Sequence, residues 1–214
     1  MWWRVIVPAA ASTACLPGRR AYPEGVRGDG DGWVVSVEGT YHWGVHGAAG
    51  LLLRAPWHDG TPAVLLQHRA AWSHQGGTWA LPGGALDSHE QASHAAVREA
   101  GEEAGLTAAQ IAVRTSVVTA EVSGPCGPLW TYTTVIADAP ELLVTVPNRE
   151  SAELRWVPEV RVGELPLHPG FAASWHRLRT TAPAPPHDCD SGAPHTVVAG
   201  RPQSLVFHWC ARGF

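Results

Sequence analysis

The stretch GALDSHEQASHAAVREAGEEAGL, running from Gly84 to Leu106, decides how this chain is read. Its middle predicts a helix over residues 89–104. Ser88 can cap that helix, with Gln91 completing a capping box, and Gly105 stands where a left-handed glycine ends a helix. Glu99 lies three residues before Glu102 and four before Glu103, so three carboxylates share one side. Ala95, Ala96 and Ala92 lie one and two turns earlier, small enough for a neighbouring loop to approach. Like charges at this spacing cost a bare helix about 0.2–0.5 kcal/mol per pair. A hard divalent cation would offset that cost, and Mg²⁺ suits a site of few carboxylates, retained waters and phosphate oxygens. Taken alone, such a cluster is more often the solvated face of a surface helix.

Around this helix the texture is that of short strands. Segments 33–38, 47–54, 63–69, 111–122, 130–137 and 153–157 are apolar or β-branched and bounded by Gly, Pro or Asp. A second helix is expected over 171–180, after Pro169-Gly170. The alternation of Gly and Asp in residues 28–32 reads as a flexible linker. Residues 182–186, Ala-Pro-Ala-Pro-Pro, read as a stiff spacer. Two apolar runs, 196–199 and 204–209, could form a hairpin or a loose tail. The expected organisation is an extension or linker over 1–32, one domain over 33–181, and a spacer and tail over 182–214.

Composition narrows the function. Apolar residues make up 45% and charged residues 16% of the 214, which excludes a highly charged disordered chain as the main body. The net charge of −4 and the absence of a basic cluster argue against a duplex nucleic-acid binder. No apolar run reaches the 18 residues of a membrane span. All 15 basic residues are Arg, which excludes Schiff-base and P-loop lysine chemistry. Cys15, Cys126, Cys189 and Cys210 form no C-x-x-C pair. With a poor signal peptide in Met1 to Cys15, free thiols in the cytoplasm are the simpler reading. Cys126, between Gly-Pro pairs, reads as a turn residue.

The wider spacing outweighs the surface-helix reading. Gly84, Glu90, Arg98, Glu99, Glu102, Glu103 and Gly105 stand in the pattern G-x5-E-x7-R-E-U-x-E-E-x-G-U, where U is an apolar residue. Chance would produce the seven fixed residues at one position with a frequency on the order of 10⁻⁸ at average usage. The pattern resembles the signature of the Nudix hydrolase superfamily, MutT-like members especially. Ala100, smaller than the usual Ile, Leu or Val, and Leu106 fill its apolar places. The likeness extends over about residues 45–180, through Leu65–His74, Trp79–Gly84 and Glu150–Trp156.

The resemblance implies an α/β/α sandwich around a mixed β-sheet, a single domain that hydrolyses a nucleoside diphosphate linked to a further group by water attack at phosphorus. It implies Mg²⁺, with Mn²⁺ a substitute, held by Glu99, Glu102, Glu103, Glu150 and the Gly83 carbonyl. The catalytic set it implies is Glu99, Glu150, Arg98 and Glu90. Glu99 and Glu150 both qualify as the base, Arg98 orients the helix carboxylates, and Glu90 fixes the loop. Arg69, His74 and Gly84 are assigned to substrate, Arg69 because a guanidinium forks onto phosphate oxygens. Trp72, Trp79, Trp130 and Tyr132 are possible base-stacking rings, although buried aromatics are more often core. His168 stands near where MutT-type enzymes place a base-reading Asn, a departure that argues against oxidised-guanine specificity.

The expected activity is pyrophosphohydrolysis of nucleoside triphosphates. Alternatives are a dinucleotide or ADP-ribose pyrophosphatase, a hydrolase of a non-nucleotide diphosphate, and a non-catalytic nucleotide sensor. Many relatives are dimers, so a homodimer is a family expectation.

Overall fold

The triple leucine Leu51-Leu52-Leu53 shows how the layers are built. Successive side chains of a strand point to opposite faces, and here both faces are covered. Leu51 and Leu53 enter one apolar cluster with Leu65, Val135 and Ala137. Leu52 enters another with Val64, Leu66, Phe171 and Trp175.

In this computed structural model the described residues are the backbone of 20–21, then 28–124 and 127–180. The chain divides into a unit over Met1–Ala184 and another over Pro185–Phe214, and the second lies wholly outside the described residues. The spacer, the tail runs and all four cysteines also lie outside them.

Three short strands, β1 (Arg20–Ala21), β2 (Trp33–Val35) and β3 (Tyr41–Trp43), form a small antiparallel sheet in that order. The main sheet takes β4 (Ala48–Pro56), β5 (Pro62–Arg69), β6 (Trp79–Ala80), β7 (Gly83–Ala85), β8 (Ala112–Gly124), β9 (Gly127–Asp138) and β10 (Ser151–Pro158). Its order is β10-β5-β4-β9-β8, with β6 beside β5 and β7 beside β4. The β4–β9 pair is parallel and its other pairs are antiparallel, so the sheet is mixed. Helices α1 (Ala92–Ala104) and α2 (Pro169–Leu178) cover its two faces, which makes an α/β/α sandwich.

Helix α1 reaches the sheet through alanines. Ala95, Ala96, Ala100 and Ala104 are fully buried in the cluster of Leu51 and Leu53. They bring the helix axis close to the strands instead of accepting a loop. The helix also begins later than the sequence suggests. Gln91 is its N-cap without a side-chain cap bond, and Ser88 gives its N–H and hydroxyl to Asp29. A partner distant in sequence has taken the group that would have capped the helix. At the other end Gly105 has φ 70° and its N–H bonds the Gly101 carbonyl, as a C-terminal glycine should.

A partly buried ion pair joins β4 to the end of α2. Arg54, on β4, bonds Glu159 at 2.9 Å and the Leu178 carbonyl at 2.6 Å. Burial alone would push Glu159 up, but Thr180 and Arg54 hold it below the usual carboxylate range.

Residues 28–32 do not behave as the expected linker. Gly30 is buried, donates to Asp87 at 3.0 Å, and receives the Val45 N–H at 2.8 Å. A Cβ there would lie 1.8 Å from the Leu86 carbonyl oxygen. Close packing, not flexibility, explains this glycine. Strand β3 and the two-residue strands went unread because each is too short to show a period.

Candidate active site

The strand β7 and helix α1 bring the acidic residues together around Arg98. Its guanidinium forks onto Glu90, at 2.8 Å from Nε and 2.9 Å from Nη2. Its Nη1 donates to Glu99 at 2.8 Å and stands 3.5 Å from Glu102, and Nη2 also donates to the Ala85 carbonyl at 3.0 Å. One side chain thus joins the helix to the strand and loop before it. The Arg98 bonds hold Glu90 below the usual carboxylate range and keep Arg98 firmly protonated.

The three box glutamates have different surroundings. Glu102 is 46% exposed and Glu99 16%, while Glu103 is buried. Glu99 lies against Gly84, where a Cβ would come within 2.4 Å of its Oε1. Burial pushes Glu99 up to about 7, opposed by Arg98 and reinforced by the charges of Glu102 and Asp31. Glu103 turns inward. It accepts from the Gly83 N–H at 2.7 Å and from Gln67 at 2.9 Å. Burial also raises it to about 7, against the Gln67 bond and with the help of Glu99's charge.

Gln67 is a site residue the sequence reading missed. It is fully buried on β5, and its Nε2 donates to both Glu103 and Ser151 Oγ. Ser151 Oγ donates in turn to Asn148, whose side chain also receives the Glu150 N–H at 2.8 Å. A hydrogen-bonded path therefore runs from the box helix to the loop that carries Glu150. Glu150 itself is exposed, and its carbonyl accepts the Ala70 N–H. The signal was present in Leu65-Leu66-Gln67: an amide inside a buried apolar run needs a buried partner.

Arg69, at the end of β5, is half-buried and donates from Nε to the His74 carbonyl at 3.0 Å. Its charge is felt at Glu103 and at His168. The backbone of His168 is bonded to Trp79 at 2.8 Å. Burial, then Arg69 and His74, lower His168 to about 4. Its Nδ1 accepts the Gly170 N–H, which leaves the imidazole hydrogen on Nε2. The exposed His74 packs its ring on Trp33, with centroids 5.6 Å apart.

The four rings considered for stacking divide. Trp79 is buried, stacked on His68 and capped by Arg155 at 4.7 Å. Tyr132 places its hydroxyl over Gly50, where a Cβ would meet it at 2.0 Å, and burial keeps it protonated. Trp130 is half-buried against His42 and donates to the Trp43 carbonyl. Trp72 is 69% exposed. Among the described residues, Asp29, Asp87 and His89 place three potential ligand atoms within 4.8 Å of one another. The first two accept from Ser88 and Gly30, which ties the amino-terminal segment to the box loop.

Residues 45–178 match a family model described as the NUDIX domain. The chain belongs to the Nudix family. As a Nudix hydrolase it acts on phosphoanhydride bonds. It is 65% identical over 201 residues, 94% of this chain and 91% of the relative, to a protein of Mycobacterium tuberculosis named putative 8-oxo-dGTP diphosphatase 3. It is 41% identical over 160 residues to a nucleoside triphosphate pyrophosphatase/Nudix hydrolase fusion protein of Bifidobacterium longum, covering 72% of this chain and 32% of the fusion. Among solved structures, a Nudix hydrolase from M. smegmatis, RenU, is 72% identical with a TM-score of 0.67, over 70% of this chain and 92% of that one. Among the described residues of this Nudix hydrolase, no helix is long and apolar enough to cross a membrane.

Proposed function

We propose that this Nudix hydrolase is a Mg²⁺-dependent pyrophosphohydrolase of nucleoside triphosphates, releasing a nucleoside monophosphate and pyrophosphate. The observation that carries the reading is the clustering of Glu90, Glu99 and Glu102 on Arg98, with Glu103 buried against Gly83. Burial raises Glu99 and Glu103 to about 7, so ionising these carboxylates is costly without a cation. Their oxygens, with Glu102, Glu150 and the Gly83 carbonyl, suit a hard divalent cation. When bound, such a cation lowers the pKa of water and neutralises charge on phosphate oxygens.

The remaining roles belong to the chain. Arg69 receives the phosphates with its guanidinium, while Gly84 leaves room for Glu99 and for close approach of the substrate. Arg98 holds Glu99 and Glu90 in place and does not touch the substrate. Glu99 and Glu150 are the two candidates for taking a proton from the attacking water, and replacing each in turn separates them. The name of the M. tuberculosis relative supports including oxidised dGTP among the substrates, despite the His168 near where MutT-type enzymes place a base-reading Asn.

A substrate panel of dNTPs, 8-oxo-dGTP, ADP-ribose, NADH and prenyl diphosphates tests this reading. Nucleoside triphosphates should be the best substrates, and Glu102→Gln should reduce turnover by at least about 100-fold. Wild-type rates in that variant would remove the metal-site assignment. A preference for ADP-ribose would replace the substrate.

A further inference from the structure

The amino-terminal sheet lies outside the span matched by the family model, yet it is fastened to the site. We propose that Trp33 and Tyr41, with His74 from the loop before the box, form the wall on which the nucleobase of the substrate stacks. The inference rests on the nucleoside triphosphate reading and specifies what holds its base.

Trp33 is the hub of this wall. Its ring meets Trp43 at 5.0 Å, His74 at 5.6 Å and Tyr41 at 6.3 Å, all edge to face. Tyr41 is 61% exposed, His74 is exposed, and Trp33 is only half-buried. A structural core would enclose these rings, but here they remain accessible to solvent. The backing is firm. Trp130 Nε1 donates to the Trp43 carbonyl at 2.9 Å, the Gly44 N–H bonds the Gly32 carbonyl at 2.7 Å, and Asp29 receives Ser88. A stacking platform needs that rigidity.

The wall also begins where the phosphates end. Arg69 Nε is bonded to the carbonyl of His74, the residue whose ring packs on Trp33. The His168 ring lies 6.3 Å from that of His74. In this arrangement a triphosphate held by Arg69 would turn its nucleoside end toward these rings. Every nucleobase has a π-face, and such stacking is sequence-tolerant, so the wall selects for a planar base over an aliphatic group.

The test compares a purine nucleoside triphosphate with the abasic deoxyribose 5′-triphosphate, using the full chain with Mg²⁺. Trp33→Ala and Tyr41→Ala should raise KM for the nucleotide more than they lower kcat. For Trp33→Ala, the ratio of kcat/KM between nucleotide and abasic substrate should fall roughly 5- to 100-fold. Trp33→Phe should recover most of the ratio, and Tyr41→Ala, at an exposed ring, guards against simple misfolding of the hairpin. An unaltered ratio in both alanine variants overturns the wall and leaves the nucleotide reading standing. Hydrolysis only of base-free diphosphates by the wild type overturns both.

Discussion

Replacing Glu99 by Gln should stabilise the metal-free protein while disabling the enzyme. Burial raises Glu99 from 4.5 to about 7, so at pH 8 the folded state carries an ionised carboxylate that it binds less favourably than the unfolded chain does. A rise of that size corresponds to about 3 kcal/mol. Gln keeps an acceptor for Arg98 but loses the charge-assisted part of that bond, which leaves a net gain of about 1–3 kcal/mol. For a chain of this length that is about 2–10 °C in Tm. The pH dependence carries the sign. Because the folded pKa is the higher one, wild-type stability is greatest below the unfolded pKa and falls as pH rises from about 4.5 to about 7. The variant lacks that loss from position 99, so the two melting curves should separate across this window and stay apart above it. The assay is calorimetry in chelator from pH 5 to 9, repeated with Mg²⁺, which should stabilise the wild type more than the variant. A variant less stable than the wild type at pH 8 in chelator would refute the reasoning, as would parallel pH profiles.

Other perturbations reach different parts of the structure. Arg54→Ala should cost about 3–5 kcal/mol in urea denaturation, because it removes the guanidinium that bonds the buried Glu159 carboxylate and the Leu178 carbonyl; a loss under 1 kcal/mol would show that the pair is relaxed. Gln67→Leu should weaken Mn²⁺ binding about 10- to 100-fold, measured by paramagnetic titration, because Glu103 loses a donor that orients it. Unchanged Mn²⁺ affinity would reduce Gln67 to a packing role.

What the sequence made legible was what depends on local spacing. The box pattern placed Glu90, Arg98, Glu99, Glu102 and Glu103 around one helix, and the strand segments over 47–54, 63–69 and 130–137 correspond to β4, β5 and β9. What escaped it depends on partners far apart in the chain. Ser88 looks like a cap until Asp29, 59 positions away, takes its hydrogen bonds. Gly28 to Gly32 looks like a linker because composition cannot show that Gly30 is pressed against Leu86. Gln67 looks like one polar residue in a strand until Glu103 and Ser151 close around it. The Trp33 wall was invisible for the same reason: its members come from β2, β3 and the loop before the box, and no local period joins them.

The most direct measurement of the central claim is product analysis by phosphorus NMR, with a nucleoside triphosphate as substrate and with Mg²⁺ or excess chelator present. The account predicts monophosphate and pyrophosphate in equal amounts with Mg²⁺ and no products in chelator. Release of inorganic phosphate and diphosphate, or full activity in chelator, would contradict it.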